Sequence, residues 1–574
     1  MHNLNIQNSL QTKKTPHSLF LCKDLINQNL YESLLNDTNW LDIESLEEIR
    51  YLCLKSKDRE AYTINLLHRL SKIRTKIEIK TIRYDYREIR KLSFDIHYFI
   101  YEIIEKNNKK SLTNSPIEIL ENLYSKEFQY YLPKITLPLG SHQTQVKKLL
   151  CQDWWGSQLK NTIRQQSELL KIALGTVSEN NQQYSSNKAV NDYELSLKAN
   201  AFVPIQRHTN TAFLTDLKPA DQRRFYEYLA ISKGIEKRAN SQGLVSSLLT
   251  LTLPPEYHAN PKNGNSKKWQ GYTPSESYKE LHSIANKFNK VLHKAGLYKN
   301  NNLFSIKAIE PHQDETPHLH ILLFYSSTDK NDIQEAIAFQ FGDSIFKESS
   351  KAYDWVDIDE GKSSPINYLS KHFIHSDKNK LTNNIRITST KALWKMKSFS
   401  FTGLPRGTKT LWKEYRKIGF NSNIYQNELE ENLIDFACCG NFEEFLITLE
   451  KATDEGLIKI TYKSKKSKYS ENSSSFSHIE YSIKNTSSID ISRDIDIHLI
   501  KNTKINLSKD ILESVPSKTI KQEFSYYFRG LVKVVTNISN NLSNKIFSTL
   551  SATLAEKKWI KKHKYRKYIF YQFK

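Results

Sequence analysis

The strongest constraint on the fold is a set of three apolar segments with the two-residue period of β-strands. In VSSLLTLTL (245–253) leucine and threonine alternate until Pro254 ends the pattern, which is typical of a strand. LFSIKAIE (303–310) and HLHILLFY (318–325) predict two further strands, joined by the seven-residue connection PHQDETP. These segments therefore predict a sheet.

One amphipathic helix separates the first strand from the second. Thr273 and Glu276 have the spacing of a capping box, Pro274 stands at the first helical position, and apolar residues follow at helical spacing until Gly296. The order strand, helix and strand pair predicts an α+β fold with a largely antiparallel sheet.

The sequence on both sides of this core predicts helices. At 574 residues the chain is too long for a single compact core, and its flanks are rich in Leu, Ile, Lys and Glu. We divide the chain into a helical accessory region (1–145), a helical region preceding the core (146–244), the antiparallel-sheet core (245–420), a helical extension (421–460), a flexible polar connection (461–510) and a basic C-terminal region (511–574).

The charge balance points to a polyanionic partner. Lys and Arg total 84 against 62 Asp and Glu, a formal net charge of +22, which favours nucleic acid before an anionic membrane. The C-terminal region interleaves cations with aromatic rings, a pattern suited to phosphates and unpaired bases. The alternatives are a solubilising tail or a helix on a membrane surface. The candidate DNA-binding residues are Lys557, Lys558, Trp559, Lys561, Lys562, Lys564 and Arg566.

Cysteine usage and hydropathy indicate a cytoplasmic protein. The five cysteines are scattered and lack paired CxxC spacing, so neither a disulfide framework nor a zinc ribbon is indicated. The first residues have no cationic start followed by an apolar stretch, and no apolar run approaches the roughly 18 residues of a membrane span. We therefore expect no membrane association.

The third strand carries a candidate metal site. Residues two apart in a strand face the same side, so His318 and His320 project together, and Glu310 on the neighbouring strand can lie beside them. Two nitrogens and one carboxylate suit Mg²⁺ or Mn²⁺ acting on a phosphate better than a closed zinc site. His312 and Asp314 are alternative third ligands. The competing interpretation is that the histidines are hydrogen-bonded packing residues.

A candidate nucleophile follows in GKSSPINYLSKHF. Ser364 can cap a helix with Pro365 at its first position, and Tyr368 and Lys371, three residues apart, then share one helical face. A phenol has a pKa of about 10 and attacks only if its developing phenolate is stabilised, which a nearby cation can do. Taken alone, such a pair is ordinarily a surface or core feature.

Together these segments resemble the HUH endonucleases, and within them the replication initiators of the bacteriophage gene A type. TLTLPP (250–255) resembles the family's first motif, EPHQDETPHLHILLF (310–324) its metal motif and NYLSKHF (367–373) its tyrosine motif. FTGLPRGTKTLWKEYRKI (401–418) resembles the ending of the phage group. The motifs occur in the family's order, and the similarity extends upstream to about residue 150.

The resemblance implies a mechanism and a cellular setting. His318 and His320 would bind the metal, Tyr368 would attack a phosphodiester with the help of Lys371, and the products would be a 3′-hydroxyl and a 5′-phosphotyrosine link that is later rejoined. The substrate would be single-stranded or supercoiled DNA at a replication origin in a bacterial host. The alternatives are a relaxase or transposase with the same site, or an inactive DNA-binding prophage remnant.

Two departures from the family pattern stand out. His372 occupies the place of a second tyrosine, so a single-tyrosine cycle or a tyrosine from elsewhere must be considered, and Glu315 replaces the glycine of the usual Asp-Gly turn. The Gly-Lys-Ser at 361–363 resembles a phosphate-binding loop, but Val356 replaces its first glycine. We therefore expect no nucleotide cofactor, and a separate host helicase and polymerase.

Overall fold

The computed structural model describes most of the chain between residues 43 and 481. The described ranges are 43–77, 85–109, 115–125, 137–201, 204–207, 210–213, 220–262, 266–298, 302–342, 353–358, 364–371, 378–418, 427–466 and 472–481, together with the single residues 29 and 135.

Helices and strands alternate within these ranges. The helices are α1 (Ile43–Lys55), α2 (Arg59–Ile73), α3 (Tyr86–Lys109), α4 (Pro116–Tyr124), α5 (His142–Leu149), α6 (Gln152–Ala173), α7 (Asn187–Ala201), α8 (Ala220–Ser241), α9 (Pro274–Lys294), α10 (Lys330–Gly342), α11 (Pro365–Lys371), α12 (Lys378–Leu393), α13 (Thr408–Ile418), α14 (Glu428–Cys439) and α15 (Phe442–Asp454). The strands are β1 (Pro204–Arg207), β2 (Asn210–Phe213), β3 (Val245–Leu251), β4 (Leu303–Pro311), β5 (Pro317–Tyr325), β6 (Tyr353–Ile358), β7 (Phe399–Thr402), β8 (Ile458–Lys466) and β9 (Asn472–Tyr481).

The core is a five-stranded antiparallel sheet in the order β6-β3-β5-β4-β7. The prediction of an α+β fold with an antiparallel sheet is confirmed. The strand pair β4 and β5 is longer than its apolar pattern suggested, because Pro311 pairs with Pro317 and only residues 312–316 remain in the turn. The turn is therefore tight, and it holds the residues next to the candidate metal site.

The predicted start of α9 is confirmed in detail. Thr273 Oγ1 accepts a hydrogen bond from the Glu276 backbone N–H at 3.2 Å, and Glu276 Oε2 accepts one from the Thr273 N–H at 2.8 Å. Pro274 occupies the first helical position, where its missing N–H costs nothing. The helix buries Leu281 and Phe288 against the sheet.

The two faces of the sheet pack against different helices, because successive side chains of a strand point to opposite sides. Leu249, Leu251, Ile321 and Leu323 share one core with residues of α1, α2, α6, α9 and α10. The opposite face packs against residues of α8, α11, α13, α14 and α15. Its sheet residues are Leu248, Phe304, Ile306, Ala308, Leu322 and Phe324.

Two hairpins lie where the sequence predicted other structure. The polar composition of 461–510 predicted a flexible connection, but β8 and β9 pair across 458–481. Their register sets Ile458 opposite Tyr481 and Ile460 opposite Ile479, so an apolar alternation was hidden among Ser and Lys residues. The hairpin of β1 and β2 likewise interrupts the region that was predicted to be helical before the core. None of the described helices is long and apolar enough to cross a membrane.

Gly403 is the glycine of the FTGLP segment that follows β7, and its φ of +89° lies in the left-handed region. A methyl group there would press on the backbone of β4, at the Leu303 carbonyl and at Phe304 Cα, which would lie 3.0 Å away. Gly243 after α8 has a similar φ of +68°, but a methyl group there would meet no atom within 4 Å.

We expect Gly403→Ala to lower the free energy of unfolding by at least about 2 kcal/mol, because backbone strain and a clash with β4 add together. Gly243→Ala carries only the conformational strain and should cost roughly 1 kcal/mol. Urea denaturation of both variants measures the difference. Equal losses would show that the close approach of Gly403 to β4 contributes nothing.

Candidate active site

The sheet register brings three predicted site residues together. Glu310 on β4 pairs with His318 on β5, and Ala308 pairs with His320, so all four residues lie on one face of the sheet. His320 Nε2 is 3.2 Å from Glu310 Oε2, and the two imidazole centroids are 4.6 Å apart. His320 is buried, with 3% of its surface exposed, so its polar ring requires partners.

Two threonines of β3 and its end contact the histidines from the other side. Thr250 pairs with His320 in the register of β3 and β5, and its Oγ1 lies 3.1 Å from His320 Nδ1. Thr252 Oγ1 lies 2.8 Å from His318 Nδ1. From the sequence alone, these threonines indicated only a strand. Their alternation with leucines was the signal that both face the histidine side.

His312, one of the alternative third ligands, lies beside His318. Its Nε2 is 2.8 Å from His318 Nδ1 and 3.5 Å from Thr252 Oγ1. The pKa of His312 is lowered to about 4. Burial is the largest cause and His258 acts in the same direction, whereas the nearby carboxylates of Asp314 and Glu310 act in the opposite direction. His312 is therefore a neutral imidazole at neutral pH, able to accept a hydrogen bond at Nε2.

Asp314, the other alternative third ligand, stabilises the turn between β4 and β5. Its carboxylate accepts hydrogen bonds from the backbone N–H groups of Asn260 and Thr316, both at 3.1 Å, and lies 3.6 Å from His258 Nδ1. Burial alone would raise the pKa of Asp314, but the hydrogen bond and charge of His258 hold it well below its usual range. These contacts orient the carboxylate toward His258 and the turn backbone.

The structure of the turn also shows how Glu315 is accommodated in place of the glycine of the usual Asp-Gly turn. This residue has a φ of +69°, the left-handed conformation that favours glycine, and its side chain is fully buried. Trp394 Nε1 donates a hydrogen bond to Glu315 Oε2, and Glu168 of α6 lies beside the same carboxyl. Burial, and then the charge of Glu168, raise the pKa of Glu315 well above its usual range. Glu315 therefore ties the turn to α6 and to Trp394, the residue that follows α12.

This pair of carboxyls predicts a pH dependence of stability. The folded chain keeps the Glu315 proton to a higher pH than the unfolded chain, whose pKa is 4.5. The stability that this carboxyl contributes is therefore fully present below pH 4.5 and is lost as the pH rises through the pKa of Glu315 in the folded chain. The Glu315→Gln side chain stays neutral at every pH. Between about pH 5 and about pH 8 the variant should therefore lose less free energy of unfolding than the wild type, by at least about 1 kcal/mol.

Urea denaturation at both pH values gives this difference. Glu60→Gln on the exposed surface of α2 is the control and should behave as the wild type does. A Glu315→Gln variant with the wild-type pH dependence would mean that Glu315 is already ionised in the fold.

One buried cation near the site was not anticipated. Lys391 of α12 is 9% exposed, and burial lowers its pKa to about 8 while the charge of Glu310 acts in the opposite direction. The lysine therefore remains largely cationic at neutral pH and interacts electrostatically with the carboxylate of the metal set. Lys391 lies near the end of a helix that carries no catalytic motif, so the sequence did not indicate that it lies near the site.

The helix of the candidate nucleophile lies on the histidine face of the sheet. Ser364 Oγ accepts a hydrogen bond from the Asn367 N–H at 3.3 Å and donates one to Glu236 Oε1 of α8 at 2.7 Å, so the predicted cap is confirmed. Ile366 and Leu369 are buried in the core on that face, and α11 contacts β3, β5 and α8. The backbone of α11 thus lies over the side of the sheet that carries the histidines.

Several site predictions lie outside the described residues. They are the side chains of Tyr368 and Lys371 within α11, residue His372, and the C-terminal candidates Lys557, Lys558, Trp559, Lys561, Lys562, Lys564 and Arg566.

The donor atoms fit a divalent ion in part. The 3.2 Å between His320 Nε2 and Glu310 Oε2 is close to the roughly 3 Å between adjacent ligands of an octahedral ion bound at about 2.1 Å. No group of three or more His, Cys, Asp or Glu side chains in the described part of the chain already surrounds one ion-sized point. A third ligand would therefore need a small change of rotamer.

Comparison with known proteins bears directly on this site. Residues 131–374 match the family model described as bacteriophage replication gene A protein (GPA). This segment belongs to that family. It includes the sheet strands β3, β4 and β5, the turn between β4 and β5, and the whole of α11. No solved structure matches the chain.

Individual gene A relatives have names consistent with the family. The chain is 26% identical over 303 residues, 47% of its length, to the probable replication protein P12 of Pseudoalteromonas phage PM2. It is 29% identical over 199 residues, 31% of its length, to the replication gene A protein of Escherichia phage 186. It is 27% identical over 242 residues, 39% of its length, to a probable replication endonuclease from a prophage-like region of Salmonella paratyphi A. The alignments cover 46%, 27% and 29% of those proteins, so the chain spans less than half of their length.

Proposed function

We propose that the chain initiates DNA replication by nicking one strand with a tyrosine nucleophile, as the resemblance to HUH endonucleases implies. The observation that carries the proposal is the placement of His318, His320 and Glu310 on the sheet face over which α11 lies. The gene A family match and relatives named as replication proteins and a replication endonuclease support the same role.

A divalent ion, Mg²⁺ or Mn²⁺, would be held by His318, His320 and Glu310. When bound, it would supply Lewis acidity toward a phosphate oxygen. Glu310 supplies the negative charge of this donor set, and Lys391 of α12 offsets part of that charge. An open set of two nitrogens and one carboxylate leaves room for the phosphate itself.

Tyr368 would act on the scissile phosphate. A bond forms between the phenolic oxygen and phosphorus, the bond from phosphorus to the 3′ oxygen breaks, the phenol loses its proton and the leaving oxygen gains one. The number of phosphodiester bonds is conserved, so the 3′-hydroxyl can later attack the phosphotyrosine and rejoin the strand. Lys371, one helical turn from the tyrosine, would stabilise the developing negative charge.

The DNA would be single-stranded or supercoiled at an origin. The net charge of +22 favours binding to phosphates, and the basic C-terminal region would add contacts to unpaired bases. Because no nucleotide-binding loop is evident in the sequence, strand separation and synthesis would require a separate helicase and polymerase of the bacterial host. The proposed reaction therefore takes place in the host cytoplasm.

Tyr368→Phe removes the proposed nucleophile and keeps the ring. On a supercoiled plasmid that carries the DNA flanking the chain's own gene, we expect the wild type with Mn²⁺ or Mg²⁺ to produce open circles and a covalent protein–DNA adduct. The variant should lose both by at least about a thousandfold. Tyr98→Phe, on the exposed face of α3, is the matched control and should retain full activity.

An adduct that still forms in the Tyr368→Phe variant would assign the nucleophile to another residue. A wild type that binds the DNA but makes no nick with either metal would instead indicate an inactive DNA-binding remnant. The sequence of the cleaved site separates a replication origin from the transfer origin of a relaxase or the end of a transposable element.

Chelation tests the metal set. EDTA should abolish nicking, and an excess of Mn²⁺ should restore it, because the ion is bound reversibly by side chains. His320→Ala should weaken Mn²⁺ binding by at least about tenfold, measured by calorimetry. His282→Ala, exposed on α9, is the control. Nicking that persists in EDTA would contradict the metal-dependent mechanism.

A further inference from the structure

The TLTLPP segment contributes more to the site than a strand. Thr250 lies on β3 and Thr252 just beyond its end, two residues later, so their side chains point to the same face and meet the two histidines of β5. Each threonine hydroxyl contacts the Nδ1 atom of one ring, at 3.1 Å for His320 and at 2.8 Å for His318. The two contacts therefore repeat one arrangement along the strand pair.

The orientation of each ring decides which nitrogen can coordinate an ion. A neutral imidazole has one N–H and one lone pair, and the partner of one nitrogen sets the role of the other. In His320 the nitrogen opposite the threonine, Nε2, is the one that lies 3.2 Å from Glu310 Oε2. In His318 Nδ1 is likewise the nitrogen that meets the hydroxyl. A carboxylate oxygen only accepts, so without an ion His320 Nε2 donates to Glu310, and an ion bound between them would take the place of that proton. With an ion bound, an N–H at both Nδ1 atoms would place both lone pairs on Nε2.

His312 adds a second acceptor at His318. Its Nε2 lies 2.8 Å from His318 Nδ1, within hydrogen-bond distance. The tight turn that follows β4 fixes this position, because the backbone N–H of His312 donates to the Thr316 carbonyl at 2.7 Å and the Glu315 N–H donates to the His312 carbonyl at 2.9 Å. His312 thus belongs to the support of His318.

We propose that Thr250, Thr252 and His312 are positioning residues that hold His318 and His320 as Nδ1–H tautomers, with both Nε2 atoms directed to one ion. The ion, and with it the His320 tautomer, rests on the proposed function, whereas the Nδ1–H tautomer of His318 is a property of the metal-free chain. The proposal gives His312 a different role from that of a third ligand. It also accounts for the threonines, since a β-branched side chain on a strand has few rotamers and so fixes its hydroxyl.

Paired substitutions at Thr252 test the hydroxyl. Thr252→Val removes it with little change of shape and should weaken Mn²⁺ binding by about 10- to 100-fold, whereas Thr252→Ser keeps the hydroxyl and should stay within about threefold of the wild type. Thr453→Val, whose hydroxyl donates a hydrogen bond to the Leu449 carbonyl within α15, is the control. A Thr252→Val chain that is folded and binds Mn²⁺ as tightly as the wild type would overturn the proposal.

Substitutions at His312 separate support from coordination. The side-chain oxygen of His312→Gln can accept the Nδ1–H bond in place of Nε2, so Mn²⁺ affinity should be largely kept, while His312→Phe should lose at least about tenfold. Equal and large losses in both variants would identify His312 as a ligand and contradict the positioning role.

The tautomers can be measured without any ion. In chain labelled with ¹⁵N at histidine, the Nδ1 and Nε2 shifts of position 318, assigned with a His318→Gln variant, should show Nδ1–H and an unprotonated Nε2, whereas Nε2 of His320 should carry a proton toward Glu310. Thr252→Val should shift the population at His318 toward Nε2–H. A predominantly Nε2–H ring at His318 in the wild type would overturn the inference. A wild type with the expected tautomers but no Mn²⁺ affinity would leave the inference standing and reject the proposed metal site.

Discussion

The site depends on the register of β5 between its two neighbours. A strand that slips by one residue turns every side chain to the opposite face, so the register that buries Ile321 and Leu323 on one side also fixes His318 and His320 on the other. Both sheet faces are covered by helices, which makes such a slip very costly. The apolar core thus determines the direction in which the histidines point.

The same register explains why ionisable groups collect at one end of the sheet. Away from that end the histidine face is filled by Leu322, Phe324 and the helices that pack on them, whereas the turn at 312–316 brings its polar side chains back over the strand ends. Buried carboxyls and imidazoles are tolerated there because each has a partner, as for Asp314 with His258 and Glu315 with Trp394.

Sequence patterns predicted the strands, α9 and the shared face of His318 and His320, because these follow from local periodicity and capping. They did not predict Lys391 or the contacts of Thr250 and Thr252, because such contacts arise only when distant segments are placed side by side. The hairpin at 458–481 was missed because its apolar residues are few and widely spaced. The gene A family match covers the segment where the local patterns were strongest, and the N-terminal helices lie mostly outside it.

The central claim is that the Tyr368 hydroxyl lies beside the ion held by His318 and His320. Incorporation of 3-fluorotyrosine at position 368 places a fluorine next to that hydroxyl, and paramagnetic Mn²⁺ broadens nuclear resonances only at short range. We expect the fluorine resonance to disappear as Mn²⁺ fills the site and to persist with Mg²⁺ or in the His320→Ala variant. A resonance that keeps its width at saturating Mn²⁺ would place the tyrosine away from the ion and contradict the account.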